Sequence, residues 1–128
     1  MSDQLIDASV LGGPKVAVVA TLVSRQPASP FLFRTYELPL EAERDAMRLG
    51  VGPGSSKHEL WQAVRASSAA PYYLDDFSVG EDRFQDGAAT ANNPTIIAIQ
   101  QARLLWPNLP LECIVSVGSG LLPSRVRE

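Results

Sequence analysis

The stretch "KVAVVATLVSRQPASPFLFRTY", Lys15 to Tyr36, decides the fold class. Its first half, Lys15 to Arg25, is an almost continuous apolar run rich in valine. Such a run suits a strand buried on both faces, as in a parallel sheet covered by helices. "QPASP" then breaks the chain, and Phe31 to Tyr36 alternates enough to predict a second strand. Glu37 to Ser56 is acidic and rich in glycine and proline, with "GVGPGSS" at its end, and reads as loop.

Downstream, "KHELWQAVRASSAAP" predicts a helix, with Ser55 or Ser56 as its N-cap and Glu59 in its first turn. Leu60, Trp61 and Val64 recur at helical spacing, and Pro71 closes the segment. "DDFSVGEDRFQDG" predicts a short hairpin turning at "GED". Asn93 and Pro94 form a helix-start pair, since asparagine accepts from orphan amides and proline is pre-set for the first helical position. The helix they open, to about Trp106, is apolar nearly all round and is expected to be largely buried. "ECIVSVGSG" follows as another buried-strand run leading into a glycine turn. Strand, helix and strand in this order indicate an α/β layer structure. The arrangement looks like the latter part of a doubly wound sheet, so the chain reads as a fragment.

Composition narrows the function classes. The 128 residues are 45% hydrophobic and 20% charged, which is a globular balance. A net charge of -3 with dispersed Arg and Lys offers no basic face for nucleic acid. The one cysteine, Cys113, allows no intrachain disulfide and favours an intracellular setting; its place in an apolar run predicts an inert buried thiol. No segment is long and apolar enough to span a bilayer, and the N-terminus carries Asp3 and Asp7 rather than the basic start of a signal peptide. Any membrane association is therefore expected to be peripheral.

Few residues offer chemistry. Asp86 stands at a strand end before Gly87 and two alanines, where ligands of open α/β sheets bind. An Asp-Gly pair is equally a turn, with the carboxylate bonded to its own backbone, and spacing alone favours the turn. His58, the sole histidine, sits at a polar helix start and is expected to be solvated. Asp75 and Asp76 are adjacent and read as surface charges. No cluster of ligand residues has metal-site spacing, and no cofactor is expected. Neither "GPGSSKH" nor "SVGSGLL" contains the Gly-x-Ser-x-Gly of a nucleophile elbow, and no glycine run matches a phosphate loop.

Three ordered segments carry a resemblance: "PKVAVVATLVSR" with "FLFRTY", "WQAVRASSAAPYYL", and "FQDGAATANNPTIIAIQQARLLWPNLPLECIVSVGSG". Together they resemble the patatin-like phospholipase family, most closely its gamma-type calcium-independent phospholipase A2 branch, from about Pro14 to Gly120. The resemblance implies a three-layer α/β/α domain, incomplete here and represented by its C-terminal portion over 14–120. Residues 1–13 would be a variable N-terminal segment and 121–128 a C-terminal tail. It implies hydrolysis of fatty-acyl esters in phospholipids at an intracellular membrane surface, without calcium, by a Ser-Asp dyad that needs no histidine. Asp86 of "DGA" matches the dyad aspartate and would act as general base, a role that contributes about 10²–10⁴-fold. The family's glycine-rich oxyanion loop and its nucleophilic serine match nothing in these 128 residues, so the chain is expected to be inactive alone. Tyr72 departs from the family, which more often has a smaller residue after the proline. Ser67 and Ser68 read as a helix end packed by small residues. The alternative is a non-catalytic truncated paralogue that binds lipid or a partner, or self-associates through an exposed sheet edge.

Overall fold

The computed structural model describes residues 12–123, in the element order β1 (Ala17–Leu22), β2 (Ser29–Arg34), α1 (Leu40–Arg48), β3 (Gly54–Ser55), α2 (Leu60–Ser67), β4 (Phe77–Val79), β5 (Asp82–Asp86), α3 (Ala88–Ala91) and α4 (Thr95–Leu105). Residues 1–11 of the expected N-terminal segment and 124–128 of the expected tail lie outside the described residues. The two strands expected from Lys15–Tyr36 are present and form the middle of one sheet, ordered β3-β2-β1-β5-β4.

The pairing direction differs from the parallel sheet that the valine-rich run suggested. β1 pairs antiparallel with β2, from Ala17 opposite Arg34 to Leu22 opposite Ser29, and antiparallel with β5 on its other side. Only the short β2–β3 pairing is parallel. The apolar run reported burial on both faces, and burial does not encode the direction of the neighbours.

Strand alternation divides the side chains between two helical layers. Ala20, Leu22, Phe31, Phe33 and Phe84 turn to one face and pack with Ala63 and Ala66 of α2. The Phe31, Phe33 and Phe84 rings sit 4.9–5.2 Å apart in tilted and edge-on contacts. Leu32 turns to the opposite face, where it meets Ala46 of α1, Val51, and Ile97 and Leu104 of α4. Arg34 follows Leu32 onto that face, fully buried, and pairs with Glu43 of α1. Tyr36 lies beyond it and donates from Oη to Gln101 Oε1 of α4 at 2.8 Å, inside the fold. Burial pushes the Tyr36 phenol up to about 12, with Arg34 opposing and Glu43 adding to the rise. The result is an α/β/α arrangement, consistent with part of a patatin-like α/β domain.

Four local expectations change. α1 falls inside the segment read as loop; its acids Glu41 and Glu43 in the first turn and Arg48 in the last suit the helix dipole. α2 is capped by Glu59 rather than a serine, in a reciprocal box in which Gln62 Oε1 accepts the Glu59 N–H at 2.9 Å. α4 begins as expected, with Asn93 Oδ1 accepting the Thr95 N–H at 3.1 Å, but only Gln101 on it is buried. The run Glu112–Val117 forms no strand, and Cys113, Ile114, Val115 and Val117 are exposed. Apolar sequence shows that burial is favourable without naming the surface that supplies it.

Candidate active site

The candidate site grows from the hairpin β4–β5. Gly80, at φ 59°, makes the reversal, and Phe77 to Val79 pairs with Asp82 to Phe84. Phe84 anchors β5 in the aromatic cluster opposite Leu22 of β1, which sets Asp86 opposite Ala20 as the last residue of the strand. Both sides of its backbone are held. The Asp86 N–H donates to the Ala69 carbonyl at 2.9 Å, and the Asp86 carbonyl accepts from Thr21 Oγ1 at 2.8 Å. Thr21 Oγ1 lies 3.0 Å from Thr90 Oγ1 of α3, which ties the helix back to β1.

The side chain makes the turn bond and keeps one oxygen out of it. Asp86 Oδ1 accepts the Ala88 N–H at 2.7 Å, which is the local turn bond. Its Oδ2 has no hydrogen-bond partner among the described residues. The carboxyl is thus oriented by its own loop with one oxygen free. Gly87, next in the chain, is buried against β1: a Cβ there would stand 2.3 Å from the Val19 carbonyl oxygen. That same oxygen accepts from Ser67 Oγ at 2.7 Å, so α2, β1 and the Asp86 loop converge on Val19.

Among the described residues none of the other sequence candidates hydrogen-bonds to this carboxylate. Ser67 is occupied as that donor, and Ser68, exposed, donates from Oγ to the Val64 carbonyl at 2.8 Å. His58 is half-buried rather than fully solvated. Its ring packs edge-on against Phe31 and Phe33 at 5.8 and 4.9 Å, its Nδ1 is buried without a partner, and no hydrogen bond joins it to Asp86. Burial lowers its basicity, opposed by the Asp82 carboxylate. Asp76 accepts from Gln85 Nε2 at 2.9 Å and pairs with Arg83 at 3.3 Å, whereas Asp75 is exposed. Among the described residues no group of three or more His, Cys, Asp or Glu could hold a metal ion. Sequence reading missed the role of Gly87; the signal was its position immediately after a strand-end acid, where close backbone approach excludes a side chain.

A three-layer α/β fold with an acid presented at the carboxyl end of an inner strand defines a class of α/β proteins that bind and act at strand ends. Within that class the chain belongs to the patatin-like phospholipase family, whose model matches residues 15–99. It is 48% identical over 98% of its length to phospholipase A I of Arabidopsis thaliana, covering 11% of that protein. It is 42% identical over 89% of its length to calcium-independent phospholipase A2-gamma of Rattus norvegicus, covering 14% of it. To the 85/88 kDa calcium-independent phospholipase A2 of Mus musculus it is 34% identical over 86% of its length, covering 15% of it. The chain therefore spans well under a fifth of each of these relatives. No solved structure matches it.

Proposed function

We propose that residues 14–120 are the C-terminal portion of a phospholipid acyl-ester hydrolase domain in which Asp86 is the general base of a Ser-Asp dyad. The observation that carries this reading is the Asp86 carboxyl at the end of β5, with Oδ1 fixed by the Ala88 amide and Oδ2 free. A general base must be oriented and must keep a lone pair for the incoming proton. In the reaction a serine supplied from outside these 128 residues attacks the ester carbonyl while Asp86 takes its proton. Asp86 then returns that proton to the departing alcohol, and water releases the acyl group by the same route. Neither a histidine nor a metal enters this scheme, which suits the place of His58 against Phe31 and Phe33 with no hydrogen bond to Asp86. Calcium independence is supported by the names of the animal relatives. No helix of the described residues is long and apolar enough to cross a membrane, and the enzyme would meet phospholipid as a peripheral protein inside the cell.

The test is a chimera. Residues 15–120 replace the matching segment of the rat calcium-independent phospholipase A2-gamma, and phospholipid hydrolysis is followed. The chimera is expected to turn over, and Asp86→Asn within it to lower kcat by about 10²–10⁴-fold. Retention of kcat within about threefold, measured against the same chimera, sinks the assignment. The 128-residue chain by itself is expected to hydrolyse neither phospholipid nor nitrophenyl esters; turnover abolished by Asp86→Ala would require a nucleophile within it.

A second reading, a non-catalytic module that self-associates, is favoured by one observation. The run from Leu111 to Gly120 and the flank of α4 border an open groove of about 540 Å³ that exposes Ile114, Val115 and Val117. Such surface is adhesive. A monodisperse monomer by light scattering, folding cooperatively, would count against this reading.

A further inference from the structure

We propose that the turn Tyr72–Asp75 is a docking surface for the choline headgroup layer of a zwitterionic phospholipid bilayer, an inference that rests on the lipid-hydrolase reading of the neighbouring Asp86. Tyr72 carries the only positive φ of a non-glycine residue among the described residues, at 72°. That conformation is strained for a bulky side chain and persists where the surroundings require it. The turn itself sets this backbone, with Pro71 before Tyr72, while the Tyr72 ring is fully exposed (105%) and Tyr73 nearly so (88%). The turn is nonetheless firmly built: the N–H groups of Tyr73 and Leu74 both donate to the Ala70 carbonyl, at 3.1 and 2.9 Å. Two aromatic rings are thus held outward on a fixed backbone.

The charge around them selects the partner. Between Leu60 and Phe77 the one basic side chain is Arg65. Its guanidinium is turned inward, donating from Nη2 to the Asp75 carbonyl at 2.9 Å, lying 5.7 Å from the Phe77 ring centre, with Nη1 buried. The carboxylate of Asp75 is exposed, with no partner among the described residues, while that of Asp76 is engaged by Gln85 and Arg83. Exposed aromatic faces beside an unpaired carboxylate are the chemistry that receives a quaternary ammonium. Tyrosine, with an apolar ring and a polar tip, also partitions to the membrane–water boundary. A patch whose outward charge is negative is repelled by anionic lipid, so phosphatidylcholine is favoured over phosphatidylglycerol. The place is suitable as well: Ala69, three residues before Tyr72, holds the Asp86 N–H, so a bilayer seated on this turn lies beside the candidate base.

The test is co-sedimentation of the full 128-residue chain with phosphatidylcholine or phosphatidylglycerol vesicles. Binding is expected to be tighter to phosphatidylcholine, and Tyr72→Gly with Tyr73→Ser to weaken it by about 5- to 30-fold. Glycine suits the left-handed backbone, so the double variant is expected to melt no lower than the parent, which separates lost docking from lost fold. Asp75→Asn is expected to narrow the preference between the two lipids. The proposal is overturned if the double variant binds within twofold of the parent, or if phosphatidylglycerol is preferred. Lipid-free dimers that the double variant abolishes also overturn it, since the patch would then be a self-interface. Sedimentation reads no turnover, so failure here leaves the chimera test of Asp86 untouched, and the converse holds.

Discussion

Gly87→Ala is the substitution on which the geometry of the candidate site stands or falls. The added Cβ would meet the Val19 carbonyl oxygen at 2.3 Å and its carbon at 2.9 Å. Reaching even the tight limit of about 3 Å requires β1 and the Asp86 loop to part by roughly 0.7 Å, and the obstacle is backbone that cannot rotate away. The movement strikes the Ala20–Asp86 register and the Ser67 Oγ bond to the same carbonyl. Overpacking of this kind costs about 1–3 kcal/mol, and a rigid neighbour places it toward about 3. For a domain this size, with a urea m-value of about 1.5–3 kcal/mol/M, that lowers the midpoint by about 1–2 M. The assay is urea unfolding followed by circular dichroism, with Gly13→Ala as control. Gly13 has nothing within 4 Å of the added atom, and its substitution is expected to stay within about 0.5 kcal/mol. A Gly87→Ala midpoint equal to that of the control would refute the close approach of β1 to the loop. In the chimera the same substitution is expected to depress kcat, because Asp86 moves with its neighbour.

Glu43→Gln removes the charge partner of Arg34, a side chain only 2% exposed. Breaking a buried pair costs about 3–5 kcal/mol, and partial solvation of Glu43 reduces this to about 2–3; chemical denaturation reads it, and Arg34→Met with Glu43→Leu is expected to recover most of the loss. Tyr36 gives an alkaline signature. Its folded phenol titrates at about 12 against 10.0 unfolded, so the stabilisation is complete below pH 10 and drains away as pH rises from 10 to 12. The loss is about 1–2 kcal/mol after screening, read as thermal melts against pH, and Tyr36→Phe is expected to flatten it.

Much of the fold is legible in the residues, and the exceptions share a cause. β1, β2, the hairpin at "GED" and the Asn93-Pro94 start of α4 each carry a local signal strong enough to survive packing. α1 was hidden because "LEAERDAMR" buries little beyond Ala46, and its flanks are proline and glycine. The dipole-matched charges at its ends were present in the sequence, but a helix with so narrow an apolar stripe is decided by tertiary contact with Arg34 and Leu32. His58 fails in the opposite direction. A polar helix start implies a solvated ring, whereas the two phenylalanines it packs against, Phe31 and Phe33, come from β2, distant in sequence.

Asp86 shows why local reading could not choose between turn and site. The turn bond is made, and it uses one carboxylate oxygen. The choice between a turn residue and a base was therefore never exclusive: the turn fixes the carboxyl plane, and that fixing is what a base requires. What raises the arrangement above an ordinary Asp-Gly turn is non-local. Ala69 from the end of α2 grips its N–H, Thr21 from β1 grips its carbonyl, and Gly87 yields its side chain so that β1 can approach. Three elements converge on one residue whose second oxygen is spent on nothing among the described residues. Such convergence beside a free oxygen suits the general-base role proposed for Asp86, since an acid in that role must hold still while a proton arrives.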